Sequence, residues 1–165
     1  MTQIIAALDV DSLKRQDELL RELHGLIVWY KIGLQLFTAH GKRAVDLVRN
    51  SGGKVFLDLK LHDIPQTVAN AVVESRRLGV EAVSLHLMGG HDMVRAAAEV
   101  SARPKLWGVT VLTSLAPKDV KIFSPSARIP AMVKSLAKLG WVAGADAVIC
   151  SPHEVPILRK AYPHL

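Results

Sequence analysis

The chain has 165 residues and a net charge of +6, half of them hydrophobic and 5% aromatic. That is the size and balance of one well-packed domain spanning residues 1–165. Its apolar runs, such as "GVTVL" and "AVVES", are too short to cross a bilayer, and MTQIIAALDVD lacks a signal peptide's basic start and cleavage site, so a cytoplasmic protein is expected. The single cysteine, Cys150, excludes an internal disulfide and a thiolate metal cluster, and its apolar setting "AVICS" reads as a buried, inert thiol. Lysine and arginine are scattered over several predicted helices and do not cluster with aromatics, which argues against a nucleic-acid face. A small anionic substrate fits the excess of positive charge better, although basicity also serves plain solubility.

Short apolar runs at Ile4 to Leu8, Ile27 to Ile32, Lys54 to Leu59, Ala82 to Leu85, Leu106 to Leu112 and Ala147 to Cys150 alternate with stretches of helical period. This predicts a βα repeat. The first helix is expected to start at Asp11 or Ser12, which can cap free N–H groups, and to stop at Gly25. A second is expected from Gln35 to Arg49, ending in "NSGG". The third begins at Asp63 and Pro65, lines Ile64, Val68, Ala71, Val72 and Ser75 along one stripe, and ends at Gly79. Shorter helices are expected at Met93 to Val100, Pro130 to Leu139 and Glu154 to Ala161, with a functional loop from Ser114 to Ile129. Such a repeat builds a parallel sheet that is either doubly wound or closed as a barrel.

The segment "LDLKLHD" places Asp58 and Lys60 on one face of a strand and Leu57, Leu59 and Leu61 on the other. Charges at the C-terminal end of a barrel strand line the active-site mouth, and an internal salt bridge is the competing reading. Asp9 in "AALD", Lys31 in "WYKIG" and Thr113 with Ser114 in "VTVLTS" fall at the same end, and one shared site accounts for all of them. Singly, each has a plainer explanation: a turn residue for Asp9, a snorkelling side chain for Lys31, a cap for Thr113. Asp63, two residues before a proline at a helix start, reads either as a helix N-cap or as a site residue, and the cap does not exclude a second role. His62 has no companion ligand or nucleophile at a recognisable spacing, and His86 either lines the mouth or packs beside it.

Together "ALD", "KIG", "FLDLKLHDIPQTV" and "GVTVLTS" resemble the orotidine 5′-phosphate decarboxylase family, in order and over nearly the whole chain. The resemblance implies a TIM (β/α)8-type barrel, here incomplete at about six βα units, and a cofactor-free and metal-free decarboxylation of orotidine 5′-phosphate to UMP. It implies a charged tetrad of Lys31, Asp58, Lys60 and Asp63, with Lys60 as proton donor and Asp63 reaching into the neighbouring subunit of a homodimer. Asp9 and Lys31 would hold the ribose hydroxyls, Ile64 and Thr67 would accompany Asp63 across the interface, and Thr113 would lie near the pyrimidine. In the family, the region beyond the match to "KAYPHL" supplies two further strands, a mobile phosphate loop and a glycine–arginine pair gripping the phosphate. The expectation is a chain that keeps the tetrad but turns over weakly or not at all alone, or a non-catalytic module that associates with an intact copy. Related sugar-phosphate enzymes with an Asp-x-Lys-x-x-Asp strand use a divalent metal, and carry a glutamate where "KIG" stands here.

Overall fold

The structure is a computed structural model that describes residues 2–122 and 125–163. Phe123 and Ser124, part of the loop expected from Ser114 to Ile129, lie outside the described residues, as do Met1, His164 and Leu165.

Six strands form one parallel sheet in chain order: β1 (Ile5–Ala7), β2 (Trp29–Gly33), β3 (Lys54–Leu61), β4 (Ala82–His86), β5 (Lys105–Val109) and β6 (Ala147–Ile149). Each strand pairs with the next, and β1 and β6 keep one unpaired edge each among the described residues. Helices α1 (Leu13–Glu22), α2 (Leu34–His40), α3 (Lys42–Asn50), α4 (Pro65–Leu78), α5 (His91–Ala98), α6 (Pro117–Lys121), α7 (Ile129–Ala143) and α8 (Val155–Ala161) fill the connections. The result is an incomplete TIM-type barrel: an open sheet with helices on its outer face.

Local chemistry sets the helix ends. Ser12 caps α1 by accepting from the Arg15 N–H, Pro65 opens α4 where no donor is required, and α4 ends on Gly79 at φ 72°. The helix expected from Gln35 to Arg49 is instead two helices, because Gly41 at φ 52° turns the chain between α2 and α3. Ile64 is not on the buried stripe of α4. It precedes Pro65 in extended backbone (ψ 153°), outside the helix, and is 67% exposed, whereas Val68, Val72 and Ser75 face inward.

Strand parity sorts the core into two layers. Tyr30, Ile32, Val55, Leu57, Val83 and Leu106 face the helices and join the main core. On the inner face Trp29, Phe56 and Ala82 cluster with Trp107 and Ile149, and Trp107 packs at 4.3 Å from the Phe56 ring and 5.5 Å from Trp29. Leu87, just past β4, fits because Gly108 and Gly140 face it. A Cβ on either glycine would come within 2.6 or 2.9 Å of the leucine side chain.

Candidate active site

Beyond the aromatic layer, the inner face turns polar towards the C-terminal ends of the strands. The register pairs Ala7 with Lys31 and Gly33 with Asp58, so residues on the inner face of β1, β2 and β3 rise in step. Asp9 follows β1 on the same side.

Four of these charges form one chain. Lys31 Nζ lies 2.9 Å from Asp9 Oδ1 and 3.8 Å from Asp58 Oδ2, and Lys60 Nζ lies 2.8 Å from that same Asp58 oxygen. Asp58 is the most enclosed member, with a side chain only 10% exposed, while Asp9 opens to solvent. Gly33 leaves room for this chain, since a Cβ there would stand 3.2 Å from Lys31 Nζ and 3.5 Å from Asp9 Oδ1. These distances bring Lys31, Asp58 and Lys60 together with Asp9.

The backbone at Lys60 departs from the regular strand that period-2 reasoning implies. Its φ is 51°, and the β3–β4 register shifts between Leu57 and Leu61. Simple alternation therefore does not hold at this point. The Lys60 side chain reaches Asp58 from a left-handed residue, a conformation that L side chains rarely adopt.

Ser84, which the sequence reading passed over, is fully buried on β4 and touches both partners. It accepts from the Lys60 backbone N–H at 2.8 Å and donates to Asp58 Oδ1 at 2.8 Å. The available signal was a small hydroxyl inside the apolar run "AVSLH", two positions before His86 and so on the same face. Burial, and then the charges of His62 and Lys60, hold the His86 imidazole below the usual 6.5. Its ring stacks on His62 with centroids 5.3 Å apart, and its buried Nδ1 has no hydrogen-bond partner among the described residues.

Asp63 stands apart from the other charges. Its carboxylate accepts from the Ile64 N–H at 2.6 Å, and among the described residues it forms no ion pair with Lys31 or Lys60. Asp63, Ile64 and Thr67 are all exposed. Thr113 is likewise exposed and lies beyond β5, which ends at Val109 and not at Leu112. The chain leaves the ladder at Thr110, whose N–H and hydroxyl both donate to the Ile149 carbonyl, at 3.1 and 2.8 Å.

Cys150 is half-buried, and burial followed by the nearby Glu154 charge pushes its thiol up, in keeping with an inert sulfur. Among the described residues no group of three His, Cys, Asp or Glu side chains is placed to hold a metal, and no helix is long and apolar enough to cross a membrane. The donor set at the mouth does not suit a divalent ion either. Lys31 Nζ sits between Asp9 and Asp58, where it would compete with a bound cation.

Residues 2–164 match the family described as orotidine 5′-phosphate decarboxylase / HUMPS. The orotidine 5′-phosphate decarboxylase of Syntrophotalea carbinolica is 42% identical over 96% of this chain and 69% of its own length. Among solved structures, orotidine 5′-phosphate decarboxylase from Lactobacillus acidophilus superposes with a TM-score of 0.89 at 34% identity, covering 97% of this chain and 76% of that one. Orotidine 5′-monophosphate decarboxylase from Methanocaldococcus jannaschii, solved with the inhibitor BMP, gives a TM-score of 0.81 over 97% of this chain and 73% of that one. At 19% identity it supports the fold alone.

Proposed function

The chain belongs to the orotidine 5′-phosphate decarboxylase / HUMPS family, and from that premise we propose that it is a carboxy-lyase converting orotidine 5′-phosphate to UMP and CO2. In this reading it works without a cofactor, in the cytoplasm, in pyrimidine biosynthesis. One observation carries it: two ammonium groups, Lys60 at 2.8 Å and Lys31 at 3.8 Å, converge on a single oxygen of the enclosed Asp58 carboxylate.

The chemistry asks for such an arrangement. Breaking the bond between C6 of the pyrimidine and its carboxylate leaves an electron pair in the ring plane, where no neighbouring carbonyl can delocalise it, so the barrier is very high. A fixed ammonium at Lys60 stabilises that pair as it forms and then donates a proton to it, making the C6–H bond of UMP. Solvent afterwards returns a proton to the neutral amine. Asp58 beside the substrate carboxylate raises the energy of the bound ground state, and this repulsion is relieved as CO2 departs. Lys31 and Asp9, joined at 2.9 Å, present one donor and one acceptor to the ribose hydroxyls.

Asp63 completes the tetrad from a second copy of the chain. In this proposal the exposed Asp63, Ile64 and Thr67 cross a homodimer interface into the partner's mouth, and the outward position of all of them supports that reading. Thr113 lies near the pyrimidine.

The test is CO2 release from orotidine 5′-phosphate by the purified chain beside Lys60→Ala. Loss of the proton donor together with the charge facing C6 should lower turnover at least about a thousandfold. Equal turnover by the variant, or loss of wild-type turnover on adding a chelator, would refute the assignment.

A further inference from the structure

The Ser84 hydroxyl is engaged at both ends. Its proton goes to Asp58 Oδ1, and a lone pair takes the Lys60 backbone N–H, each at 2.8 Å. A hydroxyl has one proton to give, a carboxylate can only accept and an amide can only donate, so the direction of both bonds is fixed.

Each bond answers a local need. The left-handed turn at Lys60 interrupts the β3–β4 ladder between the pairs Leu57 with Val83 and Leu61 with Leu85, and Ser84 supplies the acceptor for the Lys60 amide there. On Asp58, binding Oδ1 fixes the carboxylate plane and leaves Oδ2 alone to meet Lys60 at 2.8 Å and Lys31 at 3.8 Å. One buried side chain thus holds the backbone of one charged residue and the side chain of the other.

We propose that Ser84 is a positioning residue that sets the angle and separation of the Lys60 ammonium and the Asp58 carboxylate, without itself touching substrate. Its effect on turnover rests on the decarboxylase reading above. Its effect on geometry does not.

Two variants and two readouts separate these. Ser84→Ala removes the hydroxyl and fits the same space. Ser84→Thr keeps the hydroxyl and adds one methyl. Crystal structures form the first arm. In Ser84→Ala, Lys60 Nζ and Asp58 Oδ2 should separate beyond about 3.5 Å, the limit of a hydrogen bond, and Ser84→Thr should restore contact. The second arm is kinetic. Ser84→Ala should lower kcat about ten- to a hundredfold, the range for a lost hydrogen bond to a charged group, with KM for orotidine 5′-phosphate nearly unchanged. Affinity for 6-hydroxyuridine 5′-phosphate, which carries an anionic oxygen where the carbanion would form, should fall in parallel while affinity for UMP holds.

An Ser84→Ala structure with the Lys60–Asp58 contact intact overturns the proposal whatever the kinetics. An equal loss in Ser84→Ala and Ser84→Thr overturns it too, because packing and not the hydroxyl would then be responsible. If the wild-type chain neither turns over nor binds these nucleotides, the decarboxylase reading fails, and the crystallographic arm still decides the role of Ser84.

Discussion

Replacing Lys60 by glycine should give a more stable protein than replacing it by alanine, the reverse of the usual order in a strand. Lys60 has φ 51°, in the left-handed region where a Cβ crowds the following carbonyl oxygen, and that crowding costs roughly 1–2 kcal/mol. Both variants delete the ammonium and its 2.8 Å pairing with Asp58, so that loss cancels between them. What remains is the Cβ. Glycine relieves the crowding in the folded state and adds freedom to the unfolded chain, which offsets roughly 0.5–1 kcal/mol. The balance favours Lys60→Gly over Lys60→Ala by about 0.5–1 kcal/mol, or about 1–4 °C in Tm for a chain of this size. Urea unfolding followed by circular dichroism reads this difference as a shift in midpoint at constant slope. If Lys60→Ala proves equally or more stable, the left-handed turn is not the resting conformation of β3, and the account of how Lys60 reaches Asp58 fails with it.

Two further expectations concern His86 and Ile64. Burial holds the His86 imidazole below 6.5 in the folded chain, so between that lowered value and 6.5 the unfolded chain binds more protons. The stability linked to His86 is therefore complete above pH 6.5 and declines as pH falls below it. In urea titrations His86→Gln should lose less stability than wild type between pH 7.5 and 5.5, and parallel pH profiles would show that His86 is not held neutral. At Ile64, 67% exposed, introducing Asp should leave the circular dichroism spectrum of the folded chain unchanged because no core contact is lost. The same change should shift sedimentation from dimer to monomer at micromolar concentration. A wild-type chain that already sediments as a monomer would remove Asp63 from the proposed site.

The strands were legible because each is a short apolar run bounded by stretches of helical period, and their C-terminal ends placed Asp9, Lys31 and the Asp58–Lys60 pair at one end of the sheet, where the structure brings these four together. Other features left no such trace. "TAHGKRA" reads through as one helix, since an isolated glycine is tolerated within a helix, and only its φ of 52° shows Gly41 dividing two. "LDLKL" alternates without interruption, yet the backbone turns left-handed at Lys60, because the contacts of Ser84 with Lys60 and Asp58 are tertiary and local propensity does not encode them. Ile64 looked like a core residue by helical spacing, but its place before a proline puts it outside the helix. Thr113 was placed from a strand expected to reach Leu112, whereas β5 ends at Val109 and Thr110 makes two hydrogen bonds to the Ile149 carbonyl.

The position of Asp58 explains why the fold accepts a strained lysine at all. Below it on the inner face pack Trp29, Phe56 and Trp107, and above it the mouth opens through the exposed Asp9. A carboxylate at that boundary, 10% exposed, is costly unless it is fully partnered. Ser84 satisfies one oxygen, and two lysines at different heights share the other. At an effective dielectric of about 20 such pairs interact about four times as strongly as in water. In the proposed reaction, charges held in place in this way before substrate binds would need no reorganisation as the carbanion forms. The left-handed turn brings the Lys60 ammonium to Asp58 while its backbone N–H stays on Ser84, and the strain is borne by a strand held on both sides by β2 and β4. A lysine in regular strand geometry would leave its amide in the ladder and would have no call on the Ser84 hydroxyl. The coupling of backbone and carboxylate through one buried serine is therefore a consequence of the turn, and the turn and the serine are best understood as one device.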